Sequence, residues 1–323
     1  MRRRAFITLL GATAVAWPKQ APAQTSRFLR IGVMSANPPT SPIWVEFVQR
    51  MGELGHKQGQ DFAIEFLQAA GPDTYFEGMK ELVRRKVDML IATGNEIALR
   101  SALAATNTLP IVMIAIDYDP LVLGYVSNLA RPTTNVTGLY VQQGELSMKR
   151  LQVLREAFPK MKVANVLWDR TAVDQWHATQ RAAAVLGIEL TGVELNEYPY
   201  DYEHAISRAA SYDRDPLFVV MSGFFFRDRN RLAGLALQRG VASFFGTREF
   251  VDAGGLMSYG ANTNDLFRRA AEYVHQIGRG AKPADLPIEQ PSKFEFVVNL
   301  KTARAIGVEL PSSILQLADE LVE

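Results

Sequence analysis

Residues 87–116, VDMLIATGNEIALRSALAATNTLPIVMIAI, decide the fold. VDMLIAT and LPIVMIAI are short continuous apolar runs, the pattern of strands buried on both faces. Between them EIALRSALAAT carries its apolar residues at helical spacing. Buried strand, helix, buried strand is the repeating unit of a mostly parallel sheet with helices on both faces.

The alternation continues in both directions. FLRIGVM (28–34) reads as a strand, and WVEFVQRMGELG (44–55) as a helix ended by Gly55. DFAIEFLQ (61–68) alternates like a half-buried strand, and TYFEGMKELVRRK (74–86) is helical. The pattern then restarts after residue 140. ELSMKRLQVLREAF, DQWHATQRAAAVLG, YEHAISRAASY and RDRNRLAGLALQRG read as helices. KVANVLW, IELTGVEL, PLFVVMS and VASFF read as the strands among them. RGAKPADLPIEQP (279–291) is Pro-rich and polar, which suits a chain passing between lobes. A strand KFEFVVN, a helix KTARAIG and a last helix SSILQLADELVE follow. Two α/β units in tandem account for most of the 323 residues, enough chain for two cores.

Residues 1–23 differ from the rest. MRRR is basic, AFITLLGATAVAW is apolar, and Ala21-Pro22-Ala23 offers the small residues of a cleavage site, so this segment reads as an export signal. The apolar run is shorter than the roughly 20 residues a bilayer requires. Arg3-Arg4-Ala5-Phe6-Ile7 resembles a twin-arginine motif. A general secretory signal accounts for the same features, and both routes stay open. The expected location is periplasmic. There is no Cys, so disulfides, a lipid anchor on Cys and thiolate metal sites are excluded. Removing 1–23 takes the formal charge from +1 to −3, which leaves no electrostatic footprint for nucleic acid.

Open α/β sheets bind ligands at the carboxyl ends of their strands. Ser35 and Asn37 follow the first strand, and Thr93, Gly94 and Asn95 follow the third, each set just before a helix. Such residues cap helices, and they also present hydroxyls, amides and free N–H groups to an anion. Asp117 and Tyr118 follow the fourth strand, where a carboxylate can meet an ammonium; Asp119-Pro120 equally starts a turn. In the second unit Trp168 and Asp169 end one strand, and Ser222 precedes the run Gly223-Phe224-Phe225-Phe226 at the end of another. Three consecutive Phe cannot all face one core, which makes Phe224 a candidate pocket wall. Arg248, after VASFFGT, can hold a carboxylate bidentately or pair with Glu249. Tyr140, Gly254 and Gly255 are hinge candidates.

Catalytic signatures are missing. No GxSxG elbow, GxxxxGK[ST] loop or GxGxxG turn occurs, and Met257-Ser258-Tyr259-Gly260 lacks the first Gly of the elbow. His56, His177, His204 and His275 lie far apart without metal-ligand spacing and read as surface helix residues. Neither an enzyme nor a cofactor or metal is expected.

LARPTTNVTGL, ELSMKRLQVLREAFP, REFVDAGGLMSYG, the block from Asp265 to Pro311 and the closing LADELVE resemble the ABC-transporter substrate-binding family related to tryptophan/tyrosine-binding proteins. The resemblance runs from about residue 28 to the end. It implies the type I periplasmic binding fold: two Rossmann-like lobes with parallel sheets, joined by three crossovers around a ligand cleft. On that pattern lobe 1 is 24–142 plus 255–290, and lobe 2 is 143–254 plus 291–323. The family pattern is kept at Ser35, Thr93, Gly94, Asp119-Pro120, Asn135 to Gly138, Arg248-Glu249 and Gly254-Gly255. It departs at Trp168-Asp169-Arg170, where many members have Trp-Asn-Pro, and at Gly223-Phe224-Phe225, where many have Asp-Pro; Asp117-Tyr118 is also unusual. The implied function is an exported component that captures a small solute, such as an aromatic or branched amino acid or an aromatic carboxylate. It would hand that solute to a permease and its ATPase. The alternative is a periplasmic sensor serving a membrane receptor.

Overall fold

The computed structural model describes residues 28–132, 134–210 and 215–323; the expected export signal lies outside them. Strands β1 (Leu29–Ser35), β2 (Phe62–Gln68), β3 (Met89–Gly94), β4 (Ile111–Ala115) and β5 (Val136–Tyr140) alternate with helices to build the first lobe. Strands β6 (Val163–Asp169), β7 (Glu189–Leu195), β8 (Leu217–Val219), β9 (Ser243–Phe245) and β10 (Met257–Ala261) build the second. β11 (Ile288–Glu289) returns to the first sheet, and β12 (Phe294–Asn299) and β13 (Glu320–Val322) complete the second. The strand orders are β11-β5-β4-β3-β1-β2 and β13-β12-β10-β9-β8-β6-β7. Every pairing is parallel except β10 with β12. The α/β class with two parallel-dominated sheets is therefore observed.

Local chemistry explains the elements. β3 and β4 are buried along almost their whole length, as strands covered on both faces must be. β2, at a sheet edge, is only half-buried, which matches its alternating sequence. The helix Pro42–Glu53 starts with Pro in its first turn, where no intrahelical N–H is lost, and buries Ile43, Trp44, Phe47 and Met51 on one face. That face meets the helix Thr263–Gly278: Trp44 stands edge-on to Phe267 at 5.0 Å and to Phe66 at 5.7 Å. Among the described residues no helix is long and apolar enough to cross a membrane.

The chain passes between lobes after β5, after β10 and between β11 and β12. Tyr140 closes β5 just before the first passage. Two expectations need correction. LMSYG was assigned to lobe 1, but β10 lies in the second sheet, parallel to β9 and antiparallel to β12. The passage falls at Asn262, whose side chain accepts from Asp265 N–H and starts the helix returning to lobe 1. Gly254 and Gly255 thus lie inside lobe 2 and not at a crossing. Gly254, at φ +105°, turns the chain out of the short helix Arg248–Asp252. A Cβ on Gly255 would come within 2.8 Å of Phe250 O and 2.5 Å of the Phe245 ring. The glycines are needed for the turn and its packing.

The second correction concerns the C-terminus. The expected single helix stops at Leu317, Ala318 is extended at φ −67° and ψ 133°, and β13 adds to the free edge of β12. Asp319 sets the register: its carboxylate accepts from Phe296 N–H at 2.8 Å, and its own N–H donates to Phe296 O at 2.9 Å. Paired backbone at a sheet edge outweighs the helical preference of LADELVE.

Since Trp44 joins the returning helix to lobe 1, Trp44→Ala is expected to lower stability by about 3–5 kcal/mol in urea denaturation. A loss below about 1 kcal/mol would contradict this packing.

Candidate functional site

The carboxyl ends of both sheets face one another across a cavity. Ser35, Ala36 and Asn37 after β1, Thr93, Gly94 and Asn95 at the end of β3, and Ile116 and Asp117 after β4 line it from lobe 1. Tyr75, Ile43, Thr263 and Phe267 add to that side, and Met221, Ser222, Gly223 and Phe226 close it from lobe 2. Of the expected ligand residues, the fold brings Ser35, Asn37, Thr93, Gly94, Asn95, Asp117 and Ser222 to this cavity.

Asn95 makes three side-chain hydrogen bonds here. Its amide donates to the Asp117 carboxylate and, at 3.1 Å, to the carbonyl of Thr171 in lobe 2; its oxygen accepts from Gly223 N–H at 3.1 Å. The amide is a bridge between lobes, and it makes no cap bond to its own helix. Gly223 permits the approach, because a Cβ there would sit 3.2 Å from the Asn95 oxygen.

Asp117 is 3% exposed, and Oδ1 has no hydrogen-bond partner. Burial pushes its carboxyl well above the usual aspartate range, against the opposing bond from Asn95, and the charge on Asp169 pushes the same way. Asn37 Oδ1 is a second buried acceptor without a partner, while its backbone N–H donates to Ser35 Oγ at 3.1 Å. Among the described residues no Lys, Arg or His lines the cavity. Its polar chemistry is therefore that of acceptors around one acid, beside an apolar wall of Ile43, Phe226 and Phe267.

The remaining expected residues lie elsewhere. Asp169 is wholly buried and is occupied by lobe 2: it accepts from Thr171 N–H (2.9 Å), Thr171 Oγ1 (2.5 Å), Tyr200 OH (3.0 Å) and Ser222 Oγ (2.5 Å). Burial raises its carboxyl even against these four donors. It shapes the cavity loops without lining them. Trp168 stacks on Trp176, with centroids 5.5 Å apart and planes 7° apart. Tyr118 is buried edge-on to Tyr125 at 6.4 Å. Phe224 packs against Tyr198 and Tyr200 within lobe 2, and the ring reaching the cavity is Phe226. All three Phe are buried; the short helix Gly223–Arg227 fans them to different neighbours.

Arg248 does not reach the cavity. It holds Glu320 with two bonds of 2.9 and 3.1 Å and lies 3.4 Å from Asp252 and 3.8 Å from Glu295. Glu249 instead accepts from Thr263 Oγ1. Sequence reading also missed Tyr75, Met221, Thr263 and Phe267, whose helical or core-like contexts carry no pocket signal. His56 and His275 were expected apart on the surface, yet Nε2 of one lies 2.7 Å from Nδ1 of the other. Among the described residues no group of three His, Cys, Asp or Glu is placed to hold a metal ion.

Two outcomes follow from these positions. Arg248→Ala is expected to leave ligand affinity unchanged in calorimetry and to cost no more than about 1 kcal/mol of stability, as half-exposed ion pairs do. An acid with a raised folded-state value binds its proton more readily folded than unfolded, so stability falls as pH rises from about 4 toward that value. Asp117→Asn is accordingly expected to flatten this decline and raise ligand-free stability at pH 7 by on the order of 1 kcal/mol in denaturant titrations; a destabilised variant would contradict the assignment.

The comparisons agree with this architecture. A tyrosine-binding protein of Clostridioides difficile (strain R20291) is 23% identical over 311 residues, covering 93% of this chain and 86% of its own. A solved conserved domain protein from Vibrio cholerae superposes with TM-score 0.81 at 20% identity, over 92% of this chain and 99% of that one. The ABC domain from Streptococcus pneumonia in complex with L-Trp gives TM-score 0.79 at 21% identity, over 92% and 100%. The ligand-free, open structure of a substrate binding protein with adhesive properties from Clostridium difficile gives 0.60 at 22% identity, over 91% and 99%. The family model described as ABC transporter substrate binding protein matches residues 45–322, and the chain belongs to that family.

Proposed function

We propose that this chain captures a small amphipathic amine, foremost an aromatic or branched amino acid, outside the cytoplasmic membrane and delivers it to a membrane permease with its ATPase. The observation that carries the reading is the buried, unpartnered Oδ1 of Asp117 in a cavity lined by both lobes and, among the described residues, by no cationic side chain. A buried carboxylate without a counter-charge is costly, and a ligand ammonium removes that cost. The apolar body lies against Phe226, Phe267 and Ile43. A ligand carboxylate is received at the start of the helix Glu96–Ala105, with the Ser35 and Thr93 hydroxyls beside it. An aromatic carboxylate without an amine leaves Asp117 unpaired and opposes it with a like charge, so it ranks below the amino acids.

The names of two relatives support this class, one a tyrosine-binding protein and one solved with L-Trp. A ligand touching both lobes stabilises the closed form by its differential affinity, which is the signal a permease reads.

The test is a calorimetric screen of aromatic and branched amino acids, their decarboxylated amines and the matching amine-free carboxylates. One-to-one binding of an amino acid at micromolar concentration or tighter is expected, weakened about 10- to 100-fold by Asp117→Asn. No binder at micromolar concentration, or a carboxylate that binds equally well without an amine, would overturn the proposal.

A further inference from the structure

Arg227 belongs to lobe 2, at the end of the short helix Gly223–Arg227, yet its hydrogen bonds end in lobe 1. Nη1 donates to Ala69 O at 3.0 Å and to Ala36 O at 3.4 Å, the carbonyls just beyond β2 and β1. Its guanidinium centre lies 4.2 Å from the Tyr198 ring centroid and 5.1 Å from that of Phe224, both in lobe 2. The side chain is only 14% exposed, and its carboxylate neighbour, Asp228 at 3.6 Å, belongs to its own lobe. Arg227 is thus held flat on an aromatic platform by one lobe and docked on backbone carbonyls of the other. Guanidinium is weakly hydrated and planar, so it tolerates this burial where an ammonium would not.

Arg227 does not line the ligand cavity. Its cross-lobe bonds are therefore made outside the cavity, with no ligand-facing atom among them. Asn95, which does line the cavity, also crosses the lobes to Thr171 and Gly223, and Arg170 meets Asp73 at 2.6 Å, although that last pair is exposed and contributes little. We infer that Arg227 is a closure latch: the ligand-free chain populates the closed arrangement, and Arg227 sets how much, so that it tunes affinity for every ligand by one common factor without contacting any. The lobes described here lie nearer the arrangement of a relative holding L-Trp, at TM-score 0.79, than that of a ligand-free, open one, at 0.60, with nearly equal identity. A ligand that needs the closed form binds more weakly in proportion to the fraction closed.

The inference rests on the two-lobe binding reading, and its test separates the two. Spin labels placed on the outer faces of the lobes report the interlobe distance in the ligand-free mature chain, for wild type, Arg227→Met and Arg227→Lys. Tyr198→Leu, which removes the platform and leaves the guanidinium, guards against a variant that fails to fold. Wild type is expected to show a closed population that falls in all three variants. Calorimetry with L-Tyr, L-Trp and L-Phe is expected to show affinities reduced by the same factor, about 10- to 100-fold for Arg227→Met. A wild-type chain fully open without ligand, folded variants with unchanged distances, or a loss that differs among the three ligands would overturn the latch. Shifted distances with no amino acid bound would keep the latch and refute the binding reading.

Discussion

The carboxamide of Asn95 is where the two lobes become one site. Its nitrogen has two protons and spends one on the Asp117 carboxylate of its own lobe and the other on the Thr171 carbonyl across the cleft; its oxygen takes the Gly223 N–H. Each partner is fixed by something further back. Thr171 and Ser222 are anchored on Asp169, which Tyr200 also serves. A side chain on Gly223 would crowd the Asn95 oxygen, with its Cβ 3.2 Å away. The acid that faces the cavity, Asp117, is therefore held through Asn95 by the loops of both lobes, and a change in interlobe angle changes its surroundings directly.

That arrangement separates two tasks that a single cleft has to perform. On the proposed reading, recognition falls to buried acceptors and an apolar wall, because Asp117 Oδ1 and Asn37 Oδ1 have no partner within the chain. Closure falls to groups that touch the opposite lobe, Asn95 and Arg227. Charge is used differently in each. On the proposed reading the carboxylate, buried without a counter-charge, selects a cation, whereas the guanidinium is buried on aromatic rings and carbonyls with Asp228 3.6 Å away. Arg248, Arg50 and Arg268 are paired with acids within one lobe and contribute little to either task.

Much of the fold was legible in the sequence because strand and helix periods differ and the apolar runs of residues 87–116 leave little room for another reading. The loops after the strands pointed to Ser35, Thr93, Asn95, Asp117 and Ser222 by topology alone. The errors share a physical cause. LMSYG and LADELVE are short, and whether such a segment joins one sheet or the other, or is helix or strand, depends on which edge is free to pair with it. Trp168, Phe224 and Arg248 stand next to cleft loops in sequence, but a side chain's direction is set by its neighbours: a stacked Trp176, a cluster of Tyr rings and Glu320. Thr263 and Phe267 reach the cavity from a helix that enters only after the second passage, a contact that no local pattern encodes.

The most direct measurement is a crystal structure of the mature chain with its co-purified ligand. Electron density is expected between the lobes, with an amine within hydrogen-bond distance of Asp117 Oδ1 and an apolar body against Phe226 and Phe267. A ligand with no amine, or one bound outside the cavity lined by Asp117, Phe226 and Phe267, would contradict this.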